Sequence, residues 1–157
     1  MFMAKDVMTF NVVSVRPDAT LNEVAALLLR HRVSGMPVAD AEGELLGVIT
    51  EYDLLPMVYD PELSDGLVMD HMTQNPIVLS ETDALVEVAD RFISTRMRRL
   101  LVVQDGKLKG VISRHDLIRF IRETRQRVAK AIARQSQSSD NQKPASKKRP
   151  TLTTQDA

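Results

Sequence analysis

The feature that most constrains the fold of this chain is an internal repeat. Residues 6–11 recur as residues 70–75, and the helical segment that follows keeps the same offset of 64 residues. After one residue is dropped in a predicted turn, residues 47–53 match residues 110–116 at an offset of 63. Ordered self-similarity of this kind predicts two copies of one structural unit.

Each copy is predicted to contain a short strand, a helix, a hairpin of two strands and a second helix. In the first helix, apolar side chains recur at i, i+3, i+4, i+7 and i+8, the pattern of a helix with one buried face. These side chains are Leu21, Val24, Ala25, Leu28 and Leu29 in the first copy and Leu85, Val88, Ala89, Phe92 and Ile93 in the second. Thr20 and Glu23 predict a capping box, whereas the second helix is predicted to begin on Asp83.

The hairpins follow these helices. Buried strands are predicted at 36–39 and 100–103, turns at 40–44 and 104–107, and second strands at 45–49 and 108–112. A three-stranded layer with helices on one side leaves apolar surface that a second copy can cover. We therefore predict an α+β fold of two pseudo-symmetric βαββα repeats packed together through their small sheets, and we expect neither repeat to be stable alone.

Changes in composition set the predicted boundaries. The first repeat is assigned to residues 4–60, a connection to 61–67, the second repeat to 68–123 and a helical extension to 124–135. From residue 136 onwards Gln, Ser, Asn, Lys and Pro predominate, and such a composition cannot bury enough apolar surface to order itself. We expect residues 136–157 to be a disordered basic tail.

Composition excludes several classes of protein. An apolar content of 43% suffices for a buried core, and the absence of cysteine excludes disulfides, thiolate metal sites and cysteine nucleophiles. The chain start lacks the apolar stretch of a secretion signal, and the longest aliphatic run, residues 24–29, is too short to span a bilayer. We expect a cytoplasmic protein without a membrane span.

The formal net charge of zero hides an asymmetry. Residues 1–121 carry 12 basic and 18 acidic side chains, whereas residues 122–150 carry nine basic and two acidic ones. The basic segment admits two interpretations: a solvated helical extension, or an arm that attracts nucleic acid, acidic protein or anionic lipid. Near-helical spacing of Ile118, Ile121, Val128 and Ile132 predicts that the extension packs against another surface, for which a second subunit is the natural candidate.

Three motifs resemble one known family. They are Val7-Met8-Thr9 with its copy at 71–73, the strand start Gly35-Met36-Pro37-Val38, and residues 47–53 with their copy at 110–116. Over residues 4–123 the chain resembles a tandem pair of cystathionine-β-synthase (CBS) domains. The resemblance implies a stand-alone regulatory module that binds AMP, ADP, ATP or S-adenosylmethionine in clefts between the repeats, forms a two-fold homodimer and regulates a protein that the sequence does not identify.

The resemblance also implies which residues bind. The ribose would be held by Asp53 and Asp116, the phosphate by Thr50 and Ser113. The adenine pocket would be lined by Thr9, Val12, Met36, Pro37, Thr73 and Ile77. A carboxylate suits the ribose hydroxyls, and the free N–H groups of a helix beginning at residue 50 or 113 suit a phosphate. The same residues also form ordinary helix starts, so a purely structural capping role remains the alternative.

The two predicted clefts differ in charge. Arg114 and His115 follow Ser113 and can meet an anion, whereas Glu51 follows Thr50 and repels one. We therefore rank the cleft of Ser113 and Asp116 first. Arg98 and Arg99 replace the Ser34-Gly35 of the first copy, which makes one adenine wall bulkier. These arginines either bind phosphate or lie on the surface.

No arrangement of residues predicts catalysis. The three histidines have no partner at metal-ligand spacing, and Ser113 with His115 has poor geometry for proton abstraction. We expect no enzyme activity, no cofactor and no metal, and we do not expect nucleic acid as a partner. A ligand-free docking module and a regulator that binds nucleic acid through its tail remain the alternatives.

Overall fold

The structure, a computed structural model, describes residues 1–140 of the chain. Met1–Phe120 form one compact unit, and the described residues from Ile121 to Asp140 belong to a second. The elements of the first repeat are α1 (Leu21–His31), β1 (Gly35–Ala39), β2 (Leu45–Thr50) and α2 (Glu51–Leu54). Short 3-10 helices at Leu55–Val58 and Pro61–Asp65 connect it to the second repeat. A further 3-10 turn, Ala4–Asp6, lies at the start of the first repeat.

The second repeat has the same order of helix, two strands and helix, preceded by a short helix and two short strands. These are α3 (Val68–His71), β3 (Thr73–Gln74), β4 (Val78–Ser80), α4 (Leu85–Thr95), β5 (Arg99–Gln104), β6 (Lys107–Ser113) and α5 (Arg114–Asp140). The predicted mixed fold of two repeats with small sheets is therefore confirmed.

Each repeat contributes backbone to the sheet of the other. The first sheet has the order β1-β2-β3, and in it β3 of the second repeat pairs with β2 through Val48 and Thr73. Reciprocally, Thr9 of the first repeat pairs with Val111 through N–H···O bonds of 2.9 and 3.1 Å. In the other sheet, of order β4-β5-β6, β4 runs parallel to β5. Because a segment near the start of each repeat pairs with the sheet of the other, the two repeats form one unit.

The hairpin turns depend on residues that adopt positive φ. Asp105 (φ 52°) and Gly106 (φ 77°) form the two-residue turn between β5 and β6, with the positive φ values of a type I′ turn. The longer turn between β1 and β2 contains Gly43 (φ 83°), and Asp40 Oδ1 accepts bonds from the amides of residues 42 and 44. Both predicted turns thus lie where the hairpins reverse.

Two apolar clusters hold the layers together, one under each helix and hairpin. The first consists of Val15, Leu21, Val24, Leu28, Met36, Val38, Ile49 and Val68. The second consists of Ala4, Met8, Leu79, Val88, Phe92, Leu100, Val102, Ile112 and Leu117. Ala4 and Met8 of the first repeat lie in the second cluster, and Val68 of the second repeat lies in the first. Each repeat thus contributes side chains to the core of the other, as it contributes backbone to the other's sheet.

The helix starts agree with the sequence in one repeat and differ in the other. Thr20 Oγ1 accepts from the amide of Glu23 at 3.2 Å, and Glu23 Oε2 accepts from the amide of Thr20 at 2.9 Å, which is the predicted capping box. The start on Asp83 is wrong by one residue, because Ala84 is the N-cap of α4. Asp83 instead accepts a hydrogen bond from the amide of Ser80 at 2.8 Å.

The last helix, α5, runs without interruption to Asp140. It therefore includes the predicted extension 124–135 and continues into the segment for which the sequence predicts disorder from residue 136. The remainder of that predicted tail, residues 141–157, lies outside the described residues. Within residues 1–140, no helix combines the length and the apolar character that crossing a bilayer requires.

Candidate ligand-binding cleft

The carboxylates of the two aspartates in the matched motifs accept equivalent pairs of hydrogen bonds. Asp53 Oδ2 accepts from the amide of Thr50 at 2.7 Å and from its hydroxyl at 3.1 Å. Asp116 Oδ2 accepts from the amide and hydroxyl of Ser113 at 2.8 and 2.7 Å. Only Oδ1 of each carboxylate remains for a ribose hydroxyl, and Asp116 Oδ1 lies 3.8 Å from Nη1 of Arg119.

Two backbone N–H groups at each of these helix starts donate within the protein. The amides of Thr50 and Ser113 donate to the aspartates, the amide of Glu51 donates to the carbonyl of Ser34 at 2.9 Å, and that of Arg114 donates to the carbonyl of Arg98 at 3.2 Å. These four N–H groups are therefore not free to donate to a phosphate.

A cleft of about 750 Å³ lies between the repeats. Equivalent positions of both copies line it: Val12 with Pro76, Val13 with Ile77, Val33 with Met97, Ser34 with Arg98, Gly35 with Arg99, Pro37 with Leu101, and Val48 with Val111. Aliphatic side chains and prolines form most of these walls. Such a surface suits a flat, apolar ring system whose polar groups are met at a few points.

The cleft brings together part of the predicted site. Of the predicted adenine and phosphate residues, it is lined by Thr9, Val12, Met36, Pro37, Ile77 and Thr50. The predicted residues that do not line it are Thr73, Asp53, Ser113, Arg114, His115 and Asp116. Thr73 is paired with β2, and Arg114 and His115 are exposed on the first turn of α5.

The ranking of the two predicted clefts is affected by this arrangement. Thr50 of the first repeat lines the cavity, whereas its counterpart Ser113 does not. Arg98 and Arg99, the counterparts of Ser34 and Gly35, line the cleft from the second repeat. The cleft thus contains the hydroxyl residue of the first repeat and not that of the second, although the sequence ranked the cleft of Ser113 and Asp116 first.

His31 and Tyr52 line the cleft without a role predicted from the sequence. Glu51, which the sequence predicts to repel an anion, and Arg98 and Arg99, for which it leaves phosphate binding or a surface position open, line it too. The replacement of Ser34-Gly35 by two arginines was visible in the repeat alignment, and that signal pointed to the cleft. Within residues 1–140 neither Arg98 nor Arg99 forms an ion pair.

A second groove, of about 720 Å³, shares Val33, Ser34, Glu51, Arg98 and Arg99 with the cleft. Its remaining walls come from α1 with its C-cap and from α2 with the segment that follows it: Ala25, Leu28, Leu29, Arg32, Leu54, Leu55 and Val58. This groove is open at Leu29 and Val58, whose exposed fractions are 80% and 77%. Among the described residues, no cluster of three or more His, Asp or Glu side chains is arranged to hold a metal ion.

Comparison with known proteins identifies the fold and its family. The CBS-domain family model matches residues 4–60 and 68–123, and the chain belongs to this family as a tandem pair of CBS domains. It is 32% identical over 134 residues to the chloroplastic CBS domain-containing protein CBSX1 of Arabidopsis thaliana, covering 67% of this chain and 57% of that protein.

Enzymes also carry this module. The chain is 32% identical over 114 residues to the inosine-5'-monophosphate dehydrogenase of Aquifex aeolicus, covering 71% of this chain and 23% of the dehydrogenase. The chain thus spans only part of the length of these curated relatives. Among solved structures, it is similar to CBSX2 of Arabidopsis thaliana in complex with AMP, at 30% identity and a TM-score of 0.71, covering 80% of this chain and 99% of that one.

Proposed function

We propose that the chain is a non-enzymatic regulatory module that binds an adenosine-containing ligand between its repeats. The observation that carries the proposal is the cleft, in which Val12, Met36 and Pro37 of one repeat face Ile77 and Leu101 of the other. AMP, ADP, ATP and S-adenosylmethionine share the adenosine group that such walls accommodate. The similarity to CBSX2, whose structure contains AMP, supports the same class of ligand.

The cleft also supplies a mechanism for regulation. A ligand that contacts both repeats favours the arrangement in which both walls are in place, and it shifts the population by its difference in affinity between arrangements. A partner protein that distinguishes these arrangements then responds to the ligand concentration. The arrangement requires no chemistry on the ligand, in agreement with a sensor rather than an enzyme.

We also propose that the partner surface includes a second copy of the chain. The repeat places similar exposed apolar side chains at equivalent positions of both copies: Leu29 and Ile93 on the first helices, and Leu55 and Ile118 on the segments after the sheets. A surface that occurs twice on one chain can be covered on both sides by one two-fold related copy.

Thermal unfolding of the full chain tests the ligand proposal. AMP, ADP, ATP and S-adenosylmethionine are added separately, with guanosine monophosphate as the control for a non-adenosine nucleotide. A ligand at 100 times its dissociation constant stabilises the native state by about 2.7 kcal/mol. We expect at least one adenosine compound to raise the midpoint. If none does, the ligand-free docking module becomes the better explanation.

A further inference from the structure

We infer that a basic segment of α5, residues 122–134, binds an acidic connection, residues 60–70, of a second copy of the chain. Each copy provides one segment of each kind, so the first repeat of one copy faces the second repeat of its partner. The inference rests on the proposed homodimer and states how its two copies are oriented.

The two repeats diverge after the equivalent positions Leu55 and Ile118. In the first repeat, α2 is a single turn, and Pro56 and Pro61 lie in the 3-10 helices that follow it. A proline removes a helical hydrogen bond and its ring clashes with the preceding turn, so an α-helix rarely continues through it. Residues 114–140 contain neither proline nor glycine, and α5 continues as one helix. The same point of the repeat is thus followed by a short folded connection in one case and by a long helix in the other.

These two segments carry opposite charge. The acidic connection has no basic side chain and four carboxylates: Asp60, Glu62, Asp65 and Asp70. The basic segment has one carboxylate, that of Glu123, and five cations: Arg122, Arg125, Arg127, Lys130 and Arg134. All of these charged side chains are exposed, and none of them forms an ion pair with another described residue. Each segment therefore presents charge that a partner of the opposite sign can neutralise.

Exposed apolar side chains accompany the charges. Val58 and Tyr59, directly before the acidic connection, are 77% and 91% exposed. Ile121, Val128 and Ile132 lie at i, i+7 and i+11 on one face of α5, and each of them is more than half exposed. A nucleic acid would neutralise the cations and leave these aliphatic side chains in water. A protein surface that combines carboxylates with exposed apolar side chains covers both, and the acidic connection is such a surface.

Charge decides between the two possible dimers. Because Leu29 is equivalent to Ile93 and Leu55 to Ile118, a two-fold related copy can cover these apolar positions with either like or unlike repeats facing each other. With like repeats facing, acidic connection meets acidic connection and basic segment meets basic segment, which opposes association. With unlike repeats facing, opposite charges meet twice in each dimer. The antiparallel arrangement is thus the one in which apolar contacts and charge agree.

Sedimentation equilibrium of the full chain and of charge-reversed variants tests the inference. The first variant reverses three cations of the basic segment, and the second reverses three carboxylates of the acidic connection: R122E/R125E/R127E and E62K/D65K/D70K. Asp60 is left unchanged because its side chain caps the 3-10 helix Pro61–Asp65. Each reversal replaces attraction by repulsion, so we expect the dissociation constant of the dimer to rise about tenfold or more. The chain with all six changes has opposite charges again and should return to within about threefold of the wild-type value.

The control is K5E/R16E/K109E, which changes the net charge as much as the first variant does, at exposed positions outside both segments. It should dissociate like the wild-type chain. Circular dichroism checks that each variant is folded, and R122A/R125A/R127A replaces an unfolded first variant with a smaller expected loss. If the wild-type chain sediments as a monomer, the proposed homodimer itself fails. If it is a dimer but either reversal leaves the dissociation constant unchanged, or the chain with all six changes does not recover, the antiparallel assignment is overturned while the homodimer stands.

Discussion

Asp53 and Asp116 each accept two hydrogen bonds from the residue three positions earlier, and both carboxylates are only partly exposed. These bonds fix the start of the helix that follows each sheet, so both aspartates have a structural role before any ligand binds. In both aspartates Oδ2 has this structural role, and Oδ1 is the oxygen that does not take part in it.

Asp53→Ala and Asp116→Ala should therefore each lower the free energy of unfolding, by about 1–2 kcal/mol, because two partly buried donors lose their acceptor. Urea denaturation monitored by circular dichroism measures the change. Asp→Asn at the same positions keeps one acceptor oxygen and should cost less. A loss within about 0.3 kcal/mol for both alanine variants would show that these bonds do not contribute to stability.

At the scale of elements, the most important contacts are the two places where the backbone of one repeat pairs with the sheet of the other. A Cβ on Gly47 would lie 2.5 Å from the carbonyl oxygen of Thr73, and a Cβ on Gly110 would lie 2.8 Å from that of Thr9. Both glycines are buried, and each faces the sulfur of a methionine as well. Glycine is needed here because a backbone carbonyl oxygen, unlike the flexible methionine side chain, cannot move aside for a Cβ.

Gly47→Ala and Gly110→Ala should each destabilise the protein by about 2–3 kcal/mol, since the added methyl group forces strand β3 or the segment around Thr9 away from its partner. Gly43→Ala is the matched control, because a Cβ there meets nothing within 4 Å and only the positive φ opposes it, at about 1 kcal/mol. Urea denaturation of the three variants compares them. Equal losses at Gly43 and Gly110 would contradict a steric origin.

Local sequence patterns predict some of these elements and do not predict others. The helical spacing from Leu21 to Leu29 and the Asp105-Gly106 turn are local signals, and the structure has α1 and the β5–β6 hairpin where they predict them. The pairing of β3 with β2 depends on a contact between residues far apart in sequence, and a two-residue strand carries no periodic signal. The direction of the Arg98 and Arg99 side chains is likewise a tertiary property, which no local pattern encodes.

At the scale of the whole chain, the repeat determines how charge and apolar surface are distributed. Because the unit is duplicated, the cleft has two similar apolar walls. Arg98 and Arg99 make the wall of the second repeat different from that of the first. The outer surface inherits the same apolar positions twice, at Leu29 and at Ile93. A duplicated unit thus provides an asymmetric site for a ligand and a nearly symmetric surface for another copy.

The proposed homodimer follows from the apolar positions that the outer surface carries twice. Leu29 is 80% exposed and Ile93 75% exposed, although both lie at the helical spacing that predicted burial. We expect sedimentation velocity of the full chain to show a dimer, and the variant L29E/I93E to be a monomer because four charges would face each other across the interface. Val86→Glu is the control, since Val86 is 73% exposed but its counterpart in the first repeat is the polar Asn22. If wild-type chain sediments as a monomer, or if L29E/I93E remains dimeric with an unchanged dissociation constant, the apolar positions shared by α1 and α4 do not form the interface.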